Sequence, residues 1–411
     1  MSKQSSTFFS LLFWLLLLIL VVLLSINVFY DAPLSSSINN SSRLRYLKEL
    51  IIPKKEQKVI YGFLPYWNIN QFTLEKELTH LAFFGLNIAA NGEISSRDQD
   101  GNLDPSYRLI NGEQFLELSE QLKAQNGQME LVLKQFNAND IAAFLSNEKA
   151  HLNFLQSLDS ILLAYPITGI NIDIEYAGEN PQALRDDFVK FMRKLDWYLD
   201  SKYKNVTLSI DVYASAASNS QSIWDIESIS QYVDYIVVMA YDFHQRSSSQ
   251  AGPVAPLFSE DSKWNKDINQ HLKYFLDQAP REKILLGIPF YGYGWQTDSH
   301  DAKANTYEDT GFTVSYKKAK ELLALSQGGT SSESAWQGAT QIKKAWDNDA
   351  LSPYITYQQN GELYTIYYED PQSIAYKLEY ARQLDLAGIA IWALGYEDEE
   401  REIWQAIADG I

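Results

Sequence analysis

Eight stretches of the chain read as strands: VIYGFL at 59–64, LTHLAFFGLN at 78–87, MELVLKQF at 129–136, TGINIDIE at 168–175, VTLSIDVY at 206–213, VDYIVVMAYD at 233–242, KILLGIPFYGYGW at 283–295 and LAGIAIWALG at 386–395. Each is rich in β-branched and aromatic residues and is bounded by polar or turn-forming segments. Between them the apolar residues recur with a helical period. In NPQALRDDFVKFMRKLDWYLDSKY, Leu184, Phe188, Phe191 and Met192 fall on one face, and in DPQSIAYKLEYARQLD the same holds for Ile374, Leu378 and Ala381. Eight strands alternating with helices in one long unit predict an α/β fold, a parallel (β/α)8 TIM barrel.

A barrel of this kind needs about 250 residues, and the predicted domain runs from 58 to 411. The surplus is concentrated between the seventh and eighth strands. There, TGFTVSYKKAKELLAL predicts a helix, and LSPYITYQQNGELYTIYYED predicts a hairpin turning at Asn360-Gly361. A small α+β insertion, roughly 296–365, is expected. The other end of the chain is different in kind. After a short segment 1–7, the run Phe8 to Tyr30 carries no charged residue and is long enough to span a bilayer, so a transmembrane anchor or signal helix is expected over 8–30. The polar tract LSSSINNSS and the segment RLRYLKELIIPKK make 31–57 a stalk. Arg43, Arg45 and Lys48, soon after the helix, by themselves oppose an inside N-terminus, but long domains translocate regardless of such charges. The expectation is a membrane-anchored protein with its domain outside the cytoplasm, or a secreted one if the segment is cleaved.

Within the fourth strand, GINIDIEY at 169–176 poses a chemical question. Side chains alternate along a strand, so Ile170, Ile172 and Ile174 share one face while Asn171, Asp173 and Glu175 share the other. In a barrel one face packs on the helices and the other fills the interior. If the isoleucines meet the helices, the carboxyls line the interior and Glu175 reaches the carboxyl end, where barrel active sites lie. Neighbouring buried carboxyls perturb each other's proton affinity, and a raised affinity suits a general acid. Composition narrows the substrate. A net charge of -18 excludes nucleic acid as a partner and favours a neutral ligand. The 10 Trp and 26 Tyr supply flat rings suited to sugar pockets. There is no cysteine, and the five histidines show no metal-ligand spacing, so no metal and no cofactor are expected.

With these residues in place the chain resembles glycoside hydrolase family 18, the chitinase-like hydrolases, over nearly all of 58–400. The family's strand-four motif DGxDxDxE appears as Thr168-Gly169-Ile170-Asn171-Ile172-Asp173-Ile174-Glu175. Its strand-six motif MxYD appears as Met239-Ala240-Tyr241-Asp242, and its strand-eight tryptophan as Trp392. The resemblance implies that Glu175 is the acid, that Asp173, Tyr241 and Asp242 hold the substrate's acetamido group and reaction centre, and that Trp392 floors the cleaved-sugar subsite. Two departures stand out: Thr168 and Asn171 replace the first two aspartates, and LVLKQFN takes the place of the SxGG motif on strand three. Asn171 resembles the chitobiase-like and spore-cortex-hydrolase-like branches, and its amide is expected to bond Asp173. Asn171, Trp67 and Tyr291 are further candidate substrate contacts. Asp211 also takes an interior position, open to a structural or a catalytic role.

The family resemblance implies retaining hydrolysis in which the substrate's own acetamido oxygen attacks, an exception to the two-carboxylate scheme. The expected partner is an N-acetylglucosamine-containing oligo- or polysaccharide, either chitin oligomers, peptidoglycan strands or N-glycan cores, bound by a monomer. The alternative is a membrane-tethered carbohydrate-binding barrel with little or no hydrolysis, against which retention of Glu175 counts, or a barrel serving only as a scaffold, against which an open aromatic cleft would count.

Overall fold

The computed structural model describes residues 58–410 except 98–100, 179–180, 204, 260–262, 331–333, 398 and 400. The expected membrane helix over 8–30 and stalk over 31–57 lie outside the described residues; within them, no helix is long and apolar enough to cross a membrane. The strands are β1 (Val59–Pro65), β2 (His80–Ile88), β3 (Ile94–Ser95), β4 (Gln128–Gln135), β5 (Gly169–Ile174), β6 (Thr207–Tyr213) and β7 (Tyr235–Met239). They continue as β8 (Ile284–Pro289), β9 (Tyr291–Thr297), β10 (Phe312–Ser315), β11 (Thr340–Asp347), β12 (Ser352–Gln359), β13 (Glu362–Tyr367) and β14 (Gly388–Trp392). In the order β1-β14-β8-β7-β6-β5-β4-β2 eight of them run parallel, and the β1–β2 pairing closes the ring. This is the (β/α)8 barrel, with β3 a short antiparallel addition to β2.

The helices begin and pack where their sequences direct. Pro371–Gln383 starts behind Asp370, whose side chain accepts from the Ser373 backbone in a reciprocal capping box, with proline at the first turn. Ile374, Leu378 and Ala381 are buried beneath it. Leu184, Phe188, Phe191 and Met192 of the helix Pro181–Lys202 are buried in the same way. Ile170, Ile172 and Ile174 belong to the apolar cluster that contains Phe188 and Met192, which identifies the outward face of β5.

Two expected strands end early. The stretch 233–242 leaves the ladder after Met239, and Asp242 has φ 61°, a left-handed conformation incompatible with a strand. The stretch 283–295 is two strands in different sheets. β8 closes at Pro289, the Phe290 amide donates to the Trp392 carbonyl at 2.7 Å, and β9 turns away into an antiparallel sheet of order β10-β9-β13-β12-β11. Gly292 lets β9 approach β13: a Cβ there would lie 1.9 Å from the Tyr367 carbonyl oxygen. The β12–β13 hairpin turns at Asn360 and Gly361, both at positive φ, as the Asn-Gly pair predicts.

The inside of the barrel is divided into two arcs. On β1, β2, β7, β8 and β14 it is largely apolar, packed by Tyr61, Phe63, Ala82, Phe84, Val237, Leu285 and Ala390. On β4, β5 and β6 it is polar: Glu130, Asn171, Asp173, Ser209 and Asp211 are all 3% exposed or less. Gly169 makes room for this arc, since a Cβ on it would sit 2.6 Å from Glu130 Cγ. Glu130 Oε2 accepts from Tyr61 Oη at 2.7 Å and from Ser209 Oγ at 2.9 Å. Burial nevertheless pushes its carboxyl up to about 7, and burial lowers His80 to about 4. The 3.9 Å approach of His80 Nε2 to Glu130 Oε1 is therefore, near neutral pH, not an ion pair, because the imidazole is uncharged while Glu130 is partway through its titration.

Glu130 makes stability depend on pH. The folded protein keeps a proton that an unfolded chain, with an ordinary carboxyl at 4.5, has released, so this group costs nothing below about 4.5 and progressively more as pH rises to about 7. Glu130→Gln removes the cost. Relative to wild type the variant should gain up to about 3 kcal/mol on going from acid to alkaline conditions, measured by denaturant unfolding on both sides of the window. A difference between the two proteins that stays constant with pH would show that burial does not raise the Glu130 carboxyl above its unfolded-chain value.

Candidate active site

A groove of about 660 Å³ opens at the carboxyl ends of the barrel strands. Its depth holds Asp173, Glu175, Asp211 and Asp242, and its walls are aromatic, with Trp67, Phe84, Tyr213, Tyr241, Tyr291 and Trp392 among them. The division of the interior accounts for this arrangement. The polar arc of β5 and β6 rises into the carboxyls, and the apolar arc of β1, β2 and β14 rises into the rings.

Glu175 follows directly after β5, where its backbone N–H still donates to the Gln135 carbonyl at 3.1 Å, so the ladder fixes the position of its carboxyl at the strand mouth. Its side chain is half-buried. Burial raises its pKa; the hydrogen bond from the Tyr213 hydroxyl opposes the rise, and the charge of Asp242 adds to it. This is a carboxyl that retains its proton beyond the usual carboxylate range, as a proton donor must. Asp173 lies deeper on the same face. Burial holds its pKa well above the ordinary range, reinforced by Asp211 and Glu175 and opposed by Lys134.

Asp242 faces the same space from the turn after β7. Its Oδ1 accepts from the hydroxyls of both Tyr291 and Tyr293, the latter at 3.0 Å. These bonds favour its ionised form, against the upward effect of burial. Tyr241 stands half-buried among carboxyls, and its phenol is held well above its ordinary pKa by burial first and then by Asp211 and Asp242, so it stays a hydrogen-bond donor. Trp392 closes β14 and stands edge-on to Phe84, with ring centroids 4.8 Å apart. Trp67, 46% exposed, meets Phe84 at 6.3 Å and offers a free ring at the rim. Among the described residues no His, Asp or Glu cluster has a metal-holding arrangement.

The structure thus gathers Glu175, Asp173, Tyr241, Asp242, Trp392, Trp67 and Tyr291 around one groove. Asn171 is the exception. It is fully buried beneath the floor, and its Nδ2 donates to Ser209 Oγ at 3.0 Å and Asp211 Oδ1 at 2.8 Å. Both amide hydrogens therefore point to β6, so neither the expected substrate contact nor the expected bond to Asp173 is made. Four residues that the motifs did not mark belong to the arrangement: Tyr213, Tyr293, Lys134 and Glu130. Ser209, Asp211 and Tyr213 alternate along β6 in the same way as Asn171, Asp173 and Glu175, and that spacing is a readable signal for Tyr213. Lys134 stands where SxGG is missing, beside Asp173 in the β4–β5 register, and donates to Asn87 Oδ1 at 2.6 Å.

Residues 45–397 match the family model of glycosyl hydrolases family 18. Among curated proteins, a putative sporulation-specific glycosylase of Bacillus subtilis is 24% identical over 82% of this chain and 72% of its own length. Chitinase B of Serratia marcescens is 23% identical over 81% of this chain and 76% of its own. In fold, the chain is similar to a chitinase from Cycas revoluta solved in complex with (GlcNAc)3, with a TM-score of 0.69, 20% identity and coverage of 86% of this chain and 99% of that one. The barrel, the groove and the match along nearly all of the described chain agree: this protein is a glycosidase belonging to glycosyl hydrolase family 18.

Proposed function

We propose that the protein cleaves β-1,4-linked N-acetylglucosamine-containing glycans, chitin oligomers or peptidoglycan strands, by a retaining mechanism in which Glu175 is the general acid. The observation that carries this reading is the position of one proton-retaining carboxyl at the strand mouth, above a second buried carboxyl and facing Tyr241 and Asp242 across the groove. Relatives named as chitinases and as a sporulation glycosylase, and a similar fold bound to (GlcNAc)3, support the substrate class.

In this mechanism Glu175 gives its proton to the glycosidic oxygen. The substrate's acetamido oxygen attacks the anomeric carbon, and water later opens the cyclic intermediate. Asp173 and Tyr241 hold and polarise the acetamido group, with Asp242 assisting. Trp392 and Trp67 present apolar faces to the sugar rings. Tyr291 acts indirectly, by keeping Asp242 aimed into the groove. The working location we propose is outside the cytoplasm, tethered through the segment 8–30.

Glu175→Gln keeps the shape and the bond to Tyr213 but cannot donate the proton. Hydrolysis of chitooligosaccharides should fall by about 10² to 10⁴ while binding persists; turnover at the wild-type rate would move the acid to another carboxyl. The nucleophile is tested on the substrate. An oligomer lacking the N-acetyl group at the cleaved sugar should bind and hardly react, and a thiazoline analogue of the cyclic intermediate should inhibit competitively. Equal hydrolysis of acetylated and deacetylated oligomers, with no inhibition, would exclude acetamido participation. For the location, full-length protein should sediment with membranes, and protease added to intact cells should reach the domain; full recovery in the cytosol would refute the tether.

A further inference from the structure

Asn171 stands where the family's strand-four motif carries an aspartate, so β5 offers Asp173 no carboxyl neighbour below it. The adjacent strand does. β5 and β6 pair in parallel with Asn171 opposite Ser209 and Ile172 opposite Ile210, and the next step of that register sets Asp211 beside Asp173 on the interior face. Both carboxyls are 3% exposed and both line the groove floor. Two carboxylates so close and so dry cannot both ionise, and one proton stays with the pair.

Three contacts decide which carboxyl keeps it. Asn171 Nδ2 donates to Asp211 Oδ1 at 2.8 Å, and a donor of this kind stabilises the charged form of Asp211. Asp173 Oδ1 and Asn171 Oδ1, which leave the same face of β5, are buried acceptors without a hydrogen-bond partner among the described residues, and a proton on Asp173 supplies the donor that this part of the arc lacks. Lys134, the cation beside Asp173, donates to Asn87 instead. The other titratable groups facing the pair are Glu130 on β4, Glu175 after β5, Tyr213 on β6, Tyr61 on β1 and Tyr241 after β7. Burial raises both carboxyls; at Asp173 the charges of Asp211 and Glu175 add to the rise and Lys134 opposes it, and at Asp211 the Asn171 bond opposes the rise while Glu175 and Glu130 add to it.

We infer that Asp211 is a positioning residue: its carboxylate, anchored by Asn171, keeps a proton on Asp173 across the β5–β6 boundary and so replaces the carboxyl that Asn171 removes from β5. Asp173 then enters the reaction as a neutral acid, able to donate to Glu175 once that group has given up its own proton. The inference rests on the role proposed for Asp173 in catalysis, but its first test does not. In the full-length protein with ¹³C-labelled aspartate carboxyls, Asp173 should titrate above the ordinary carboxyl range while Asp211 reads as carboxylate at the same pH; the reverse order overturns the inference whatever the activity.

The second test uses Asp211→Asn, which keeps an acceptor for Asn171 and removes the charge. The Asp173 midpoint should fall by roughly one to two pH units, and the alkaline limb of kcat should move down with it at little cost in KM. Asp211→Asn combined with Asn171→Asp returns a carboxyl beside Asp173 and should restore both. A loss of kcat that is equal at every pH, with the midpoint and limb unmoved, would make Asp211 merely structural and refute the proposal.

Discussion

Carboxyl groups can be kept inside a barrel only if each is given a donor, a proton or an opening to water, because an ionised carboxylate in a dry interior is too costly to sustain alone. In this protein that constraint organises everything between the bottom of the barrel and its mouth. Glu130 has two hydroxyl donors and still titrates near neutrality. Asp211 has the amide of Asn171. Glu175 has Tyr213 and the groove, and Asp242 has two tyrosines. Along β5 and β6 the solution changes from hydrogen bonds at the base to solvent access at the top. The group nearest the mouth is therefore the one free to exchange a proton with a ligand.

The opposite arc of the interior gives the groove an apolar wall. Phe63, Phe84 and Trp392 come from β1, β2 and β14, strands whose interior faces are apolar toward the mouth, and their rings meet at centroid distances of 4.8 to 5.9 Å. A sugar laid on this side would place one apolar face on the rings and turn its hydroxyl and acetamido groups toward the carboxyls. The division into two arcs gives the groove a polarity that a uniformly packed barrel would not have.

The antiparallel sheet inserted after β8 takes part in the same arrangement. Tyr291 and Tyr293 are β9 residues, and their side chains reach Asp242 beyond the end of β7, the strand that pairs with β8. Asp242 sits at φ 61° three residues beyond the end of β7, in a turn with no ladder bonds of its own to hold it. The inserted sheet thus supplies the donors that keep this carboxyl aimed into the groove and that oppose the rise burial gives its pKa. Gly292, by letting β9 lie close against β13, is part of that support.

Much of this was written in the chain's pattern. Eight apolar runs separated by helical periods are enough for a parallel barrel, because the periods of 2 and 3.6 determine which faces can be buried together. The alternation of GINIDIE likewise places Asp173 and Glu175 on the interior face and the isoleucines against the helices. The motif residues Tyr241, Asp242 and Trp392 were legible through the resemblance to the family's strand-six and strand-eight motifs, and the convergence of strand ends on one side of the barrel brings them to one groove. Tertiary structure decided what depends on neighbours across strands. KILLGIPFYGYGW carries no mark showing that one run serves two sheets, since only the pairing partners of Gly292 and Tyr293 distinguish them. Asn171 reads as a neighbour of Asp173 along the strand, yet its amide turns to Ser209 and Asp211 on β6. Glu130 and Lys134 lie in an unremarkable strand until the register brings them beside Gly169 and Asp173. The sequence determined which side chains enter the barrel, because that follows from local periodicity; the fold alone determined which of them share hydrogen bonds and protons, because those partners are separated by tens to hundreds of residues along the chain.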